Sequence, residues 1–179
     1  AHLVGSGARN LETQNANEPV DLDYNLNIIN SKRKDLNNLS EQSIKEYIRK
    51  IFNEVLNNNG WRDCQDSTSC LTTERRKGTS TEFSIDLAIV HENPDGTWLR
   101  LIHEKTGWVS NDKWYWNEAP HSKGLKKKAD KLKSNNHWEE VRDTYLNKKN
   151  MYLSSRDYNH PSFNCYIEAV NEVYGKYFK

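Results

Sequence analysis

The chain has 179 residues, room for one domain of ordinary size with its own core. It is polar, with 35% hydrophobic and 28% charged residues and a mean hydropathy of −1.01, yet 6 Trp, 9 Tyr and 4 Phe supply the apolar surface of a folded protein. A net charge of +1 excludes a global field that gathers nucleic acid, no run approaches the about 18 apolar residues of a membrane-spanning helix, and no signal-peptide pattern is visible.

In chain order, residues 2–5 read as a short strand ending in Gly5-Ser6-Gly7. Its start almost at Ala1 suggests a truncated N-terminus. Residues 10–19 read as a polar loop with room for one helical turn. Residues 20–29 alternate: Asp21, Asp23 and Asn25 share one side, Leu22, Tyr24 and Leu26 the other. Ser40 then caps a helix over 41–57, with an apolar stripe of Ile44, Tyr47, Ile48, Ile51, Phe52, Val55 and Leu56, and the Asn-rich run closed by Gly60 stops it.

Residues 61–72 are a weaker strand and 73–80 a charged loop. Residues 82–91 form a strand, 93–96 a turn and 97–103 the return strand of a hairpin. Residues 107–122 read as an aromatic-rich irregular stretch. Helices follow at Lys123–Lys133 and His137–Asn150, and a last one over Phe163–Tyr177, opened by His160-Pro161-Ser162, carries Tyr166, Ile167, Val170, Val173, Tyr174 and Tyr177 on one stripe.

The pattern predicts an α+β protein with a mixed, twisted sheet. Residues 1–104 form the core, and a helical portion, 105–179, packs on the same domain. Cys64, Cys70 and Cys165 are odd in number and contain no CxxC pair, which fits neither a disulfide framework nor a zinc site and points to reduced thiols in a cytoplasmic protein.

The chemistry concentrates in carboxylates. Ser84, Asp86 and Ala88 share one face of the 82–91 strand, so a charge sits in the middle of an apolar run, where bare burial is unfavourable by several kcal/mol. Asp21 and Asp23, at i and i+2 on another strand, lie about 6.6–7 Å apart at Cα and can converge on one site. Converging carboxylates repel unless hard cations neutralise them. Mg²⁺ takes oxygen ligands and is usually completed by substrate phosphates. A Gly-Ser-Gly turn belongs beside such a site, because glycine brings backbone close to phosphate oxygens while N–H groups and the serine hydroxyl donate to them.

Gly5-Ser6-Gly7-Ala8-Arg9, then Asp21-Leu22-Asp23, then Asp86 on a later strand, resembles the nucleotidyltransferases of the polymerase-β type over about the first 90 residues. "FSIDLAIV" is most similar to the oligoadenylate synthetase and bacterial cyclic-oligonucleotide synthase branch. Val20 before the first aspartate and Asn10 after Arg9 depart from the commonest pattern. The resemblance implies that Asp21, Asp23 and Asp86 bind Mg²⁺ or Mn²⁺ and act in catalysis, with Asp86 helping to deprotonate the acceptor. It implies that Gly5, Ser6, Gly7 and Arg9 hold the nucleoside triphosphate, and that the products are a nucleotidyl ester and pyrophosphate. The acceptor (small molecule, nucleotide, RNA or protein) and the oligomeric state stay open, and no membrane partner is expected.

Two other readings also stay open. One is a domain of the same fold that binds nucleotide or nucleic acid without transfer. The other is a protein-interaction module of a toxin–antitoxin or defence pair, with the 107–116 aromatics as its partner surface. Arg75, Arg76 and Lys77 read as a solvated hairpin tip and Lys126, Lys127 and Lys128 as the wet face of a helix. Trp108, Trp114, Tyr115 and Trp116 read as packing residues. The histidines lack metalloprotease spacing, His103, Glu104 and Lys105 are not placed relative to the carboxylates, and no P-loop, dinucleotide-binding or nucleophile-elbow motif is present.

Overall fold

The computed structural model describes residues 1–9, 11, 20–29, 38–119, 124–155 and 162–178. Most of the polar loop expected at 10–19, the end of the stretch expected at 107–122, and His160-Pro161 lie outside the described residues. The chain forms two compact units, Ala1–Ala119 and Pro120–Lys179. The architecture is α+β, with a mixed sheet and, among the described residues, four α-helices.

Among the described residues, the first unit is built on seven strands: β1 (His2–Leu3), β2 (Val20–Asn27), β3 (Gln65–Asp66), β4 (Leu71–Lys77), β5 (Ser80–Glu92), β6 (Trp98–Glu104) and β7 (Lys113–Glu118). They run in the order β1-β2-β5-β4-β3, with β6 on β5 and β7 on β6. The long β5 is the organiser. β2 lies parallel to it along one edge, from Val20 opposite Phe83 to Asn27 opposite Val90. On its other edge the antiparallel β4 pairs up to Leu87, and β6 takes over at Val90. A parallel β2–β5 pair needs a long crossover, and helix α1 (Glu41–Asn58) lies in it.

Helix α1 begins where expected. The Ser40 hydroxyl accepts the Ser43 N–H, which satisfies one of the orphan donors of the first turn. One side of it covers the sheet: Leu56 joins Cys64, Leu71, Leu87, Ile89 and Leu101 in the core, with Tyr24, Leu26, Ile44, Ile48, Phe52, Trp114 and Trp116 packed around them. The predicted stripe is too wide, because Tyr47, Ile51 and Val55 are 50%, 43% and 53% exposed while Lys45 is buried.

Two other expectations are corrected. Residues 73–77 belong to strand β4 and residue 80 begins β5, so the expected loop shrinks to the two-residue turn Gly78-Thr79. Their charges are tolerated because this end of the hairpin faces solvent: Arg76 bonds Glu74, and the Arg75 guanidinium lies over the rings of Trp61 and Phe83. Within 107–122, Lys113–Glu118 is a full strand rather than irregular chain. Trp114 and Trp116 face the core, whereas Tyr115 points outward at 39% exposure; three consecutive aromatics hide the alternation. Trp108 does not pack as expected and is 74% exposed.

The second unit holds α2 (Leu125–Ser134), α3 (Trp138–Ser154) and α4 (Ser162–Tyr177). Its core is Leu125, Ala129, Leu132, Val141, Tyr145, Cys165, Tyr166, Ala169, Val170 and Val173. Salt bridges from Lys148 to Glu172 and from Lys176 to Glu140 tie its helices together. Lys126 and Lys127 are exposed, while Lys128 donates to Asn171. Among the described residues, no helix is long and apolar enough to cross a membrane.

Candidate functional site

Strand register alone assembles the carboxylates. Asp23 stands directly opposite Asp86 across the parallel β2–β5 pair, and Asp21 stands opposite Ser84. Directly opposite residues on neighbouring strands share a face, so these four side chains point to the same side, away from the Leu87–Ile89–Tyr24–Leu26 side that packs under α1. Asp21, Asp23 and Asp86 each offer one oxygen, and all lie within 4.8 Å of one another. Asp21 is exposed and the other two are half-buried.

Hydroxyls secure the outer members of this set. Ser84 Oγ donates to Asp21 Oδ1 at 2.7 Å. On the far edge of β5, Thr72 stands opposite Asp86 and its Oγ1 donates to Asp86 Oδ1 at 2.6 Å. Asp23 lies between the other two acids and bears the cost. Burial pushes its carboxyl above the ordinary range, the charges of Asp21 and Asp86 push it further, and Arg100 and Arg9 offset this only in part.

The Gly-Ser turn meets the acids through Gly5. Val4 N–H donates to the Asp23 carbonyl at 2.8 Å, which sets the turn on β2. Gly5 has φ +64°, and a Cβ there would fall 2.0 Å from Asp23 Oδ2. Only glycine satisfies both the conformation and the approach. The turn continues into a 3-10 helix, Gly7–Arg9, in which the Ser6 carbonyl accepts the N–H groups of Arg9 and Leu11. The Ser6 hydroxyl has no partner among the described residues. Arg9 Nη1 closes the turn on the Gly5 carbonyl at 2.7 Å. Gly7 does not share the positive φ of Gly5. Gly5→Ala is therefore expected to displace the Asp23 carboxylate and lower any activity of the site by about 10²-fold, the scale of a 1 Å misplacement, in an assay matched for folded protein.

Thr72 and Arg100 belong to this neighbourhood and escaped the sequence reading, whereas Ser84 was placed on the face of Asp86 without a role. Arg100 shares the acid-bearing face, because it pairs with Val90, four residues beyond Asp86 on β5. The alternation Ser84–Asp86 was visible, but Thr72 and Arg100 are brought in by the registers of β4 and β6, which no local pattern encodes. His103 is on the opposite face, stacked on Trp114 with ring centroids 4.3 Å apart and bonded to Asp66 and Asp112. It takes no part in the acid set.

All the donors in the set are carboxylate oxygens, with no sulfur or imidazole, and this composition fits Mg²⁺, Mn²⁺ or Ca²⁺ rather than a softer ion. The chain matches no protein-family model and no curated protein.

Proposed function

We propose that this protein is a divalent-cation-dependent nucleotidyltransferase of the polymerase-β type. It moves a nucleoside monophosphate from an NTP to an acceptor hydroxyl and releases pyrophosphate. One observation carries this reading: three carboxylates from two parallel strands converge within 4.8 Å against the positive-φ glycine of a Gly-Ser turn. The α+β architecture with a mixed sheet supports it.

Asp21, Asp23 and Asp86 would hold Mg²⁺ or Mn²⁺. Such ions, when bound, offset the mutual repulsion of the acids and favour in-line displacement at phosphorus. The Ser6 hydroxyl, which has no partner among the described residues, donates to a triphosphate oxygen, and Gly5 lets the backbone approach the same group. Asp86 takes the proton of the acceptor hydroxyl. The hydroxyl oxygen then bonds to the α-phosphorus while the bond from that phosphorus to the pyrophosphate oxygen breaks. Catalysis rests on placement and electrostatics, with no covalent enzyme intermediate.

The test is incubation of the full chain with each of four labelled NTPs and Mg²⁺ or Mn²⁺, supplying RNA, protein and small-molecule fractions as acceptors. Pyrophosphate and a nucleotidyl adduct are expected, and EDTA should abolish both. Nucleotide binding without pyrophosphate from any NTP would replace this reading with a binding domain.

A further inference from the structure

Asp86 is the middle member of a row that crosses three strands: Asp23 on β2, Asp86 on β5 and Thr72 on β4. Thr72 Oγ1 has three polar neighbours: Asp86 Oδ1 at 2.6 Å, Ser67 Oγ at 3.0 Å and Cys70 Sγ at 3.5 Å. A threonine hydroxyl carries one proton, and an ionised carboxylate can only accept. The Thr72 proton therefore goes to Asp86, and the Thr72 oxygen is left to accept. Ser67 Oγ–H is its nearest donor. The Cys70 thiol, whose pKa burial pushes up, keeps its own proton and can serve as a weaker one.

Ser67 is itself held from several directions. Its N–H donates to the Cys70 carbonyl at 3.0 Å, and its carbonyl accepts from the buried Lys45 Nζ at 2.7 Å. The next residue, Thr68, accepts the His103 backbone N–H at 2.8 Å. The 67–70 turn is thus fixed to α1 and β6, which holds the Ser67 hydroxyl beside Thr72.

We infer that Thr72, backed by Ser67, is a positioning residue for Asp86. It ties down one carboxylate oxygen, so that the group presents a fixed orientation to a divalent cation shared with Asp21 and Asp23. This inference rests on the cation-dependent reading above and adds residues that neither touch substrate nor bind the ion. Groups that hydrogen-bond a ligating carboxylate typically contribute 10–100-fold to metal affinity.

The experiment is Mn²⁺ titration of the full chain, with free Mn²⁺ read by electron paramagnetic resonance, for wild type, Thr72→Val, Thr72→Ser and Asp86→Asn. Thr72→Val keeps shape and branching and loses only the hydroxyl; thermal melts confirm that each variant is folded. Thr72→Val is expected to bind Mn²⁺ about 10–100-fold more weakly than wild type, and Thr72→Ser, which restores the hydroxyl, to recover most of the loss. Equal affinity of Thr72→Val and wild type overturns the inference, as does a Thr72→Ser variant as weak as Thr72→Val. If wild type binds no Mn²⁺, or Asp86→Asn binds it as tightly as wild type, the cation reading itself falls and takes the inference with it, so the two failures are told apart.

Discussion

Asp23→Asn is expected to abolish nucleotidyl transfer and, at the same time, to make the metal-free protein more stable. The first effect follows from position. Asp23 pairs with Asp86 across the strands and lies against Gly5, so under the proposed function it is the acid on which both a cation and the turn would depend. Losing a cation ligand forfeits several kcal/mol of charge stabilisation, and about 4 kcal/mol already means ~10³-fold in rate. The second effect follows from the sign of its pKa shift. Burial first, then Asp21 and Asp86, raise the carboxyl above 3.8, so the folded state holds the proton more tightly than the unfolded chain does. Ionised Asp23 therefore opposes folding: stability is lost as pH rises from the unfolded value through the raised folded one. Asparagine removes that charge. A gain of about 1 kcal/mol, or about 2–4 °C in melting temperature, is expected at pH 7 without metal. Saturating Mn²⁺ should raise the wild-type melting temperature by ligand linkage and leave Asp23→Asn unmoved. A variant that keeps transfer, or one that melts lower than wild type in metal-free buffer, would break the link between the acid cluster and function.

The elements whose patterns repeat locally were legible in the sequence. The helix over 41–57 was readable from its Ser40 cap and 3.6-residue period, and β5 from the alternation around Asp86. The facing of Asp21, Asp23 and Asp86 was readable too, because alternation fixes which side of a strand each residue takes. What alternation does not encode is which strands become neighbours. The two hydroxyls show the difference. Ser84 is two residues from Asp86 on its own strand, whereas Thr72 reaches it only through the antiparallel β4–β5 register. The same limit hid β7, where aromatic residues on both faces of Trp114–Trp116 leave no polar beat to follow. The inner face of α1 misled for another reason. Periodicity put Tyr47, Ile51 and Val55 in the apolar stripe and passed over Lys45, whereas the fold exposes those three and buries the lysine, because Lys45 has an anionic partner waiting at β3.

That partnership sets the largest expected loss of stability. Lys45 is 2% exposed, and its ammonium lies 2.6 Å from Asp66 Oδ1 and 2.7 Å from the Ser67 carbonyl. Asp66 Oδ2 meets His103 Nδ1 at 2.8 Å, and His103 Nε2 meets Asp112 Oδ2 at 3.1 Å, so α1, β3, β6 and the turn before β7 join in one charged network. Burial pulls the Lys45 ammonium below 10.5, and the bond to Asp66 restores it only in part. For Asp66, burial alone would raise the carboxyl, but Lys45 and His103 outweigh it and hold the group below 3.8. Each charge is thus tolerated because of the other. Removing one member of a buried pair typically costs about 3–5 kcal/mol, whereas replacing both costs far less. Lys45→Met should therefore lower the melting temperature by on the order of 10 °C, and Lys45→Met with Asp66→Asn should lose clearly less than the sum of the single changes. Acid gives an independent check. A depressed Asp66 pKa adds stability that is present above 3.8 and is lost as pH falls through the folded value, so wild type should lose this stability below about pH 4 and Lys45→Met should lose less of it. Additive losses in the double variant, measured by denaturant unfolding, would show that the two charges do not hold each other in place and that α1 is fixed to the sheet by its apolar contacts alone.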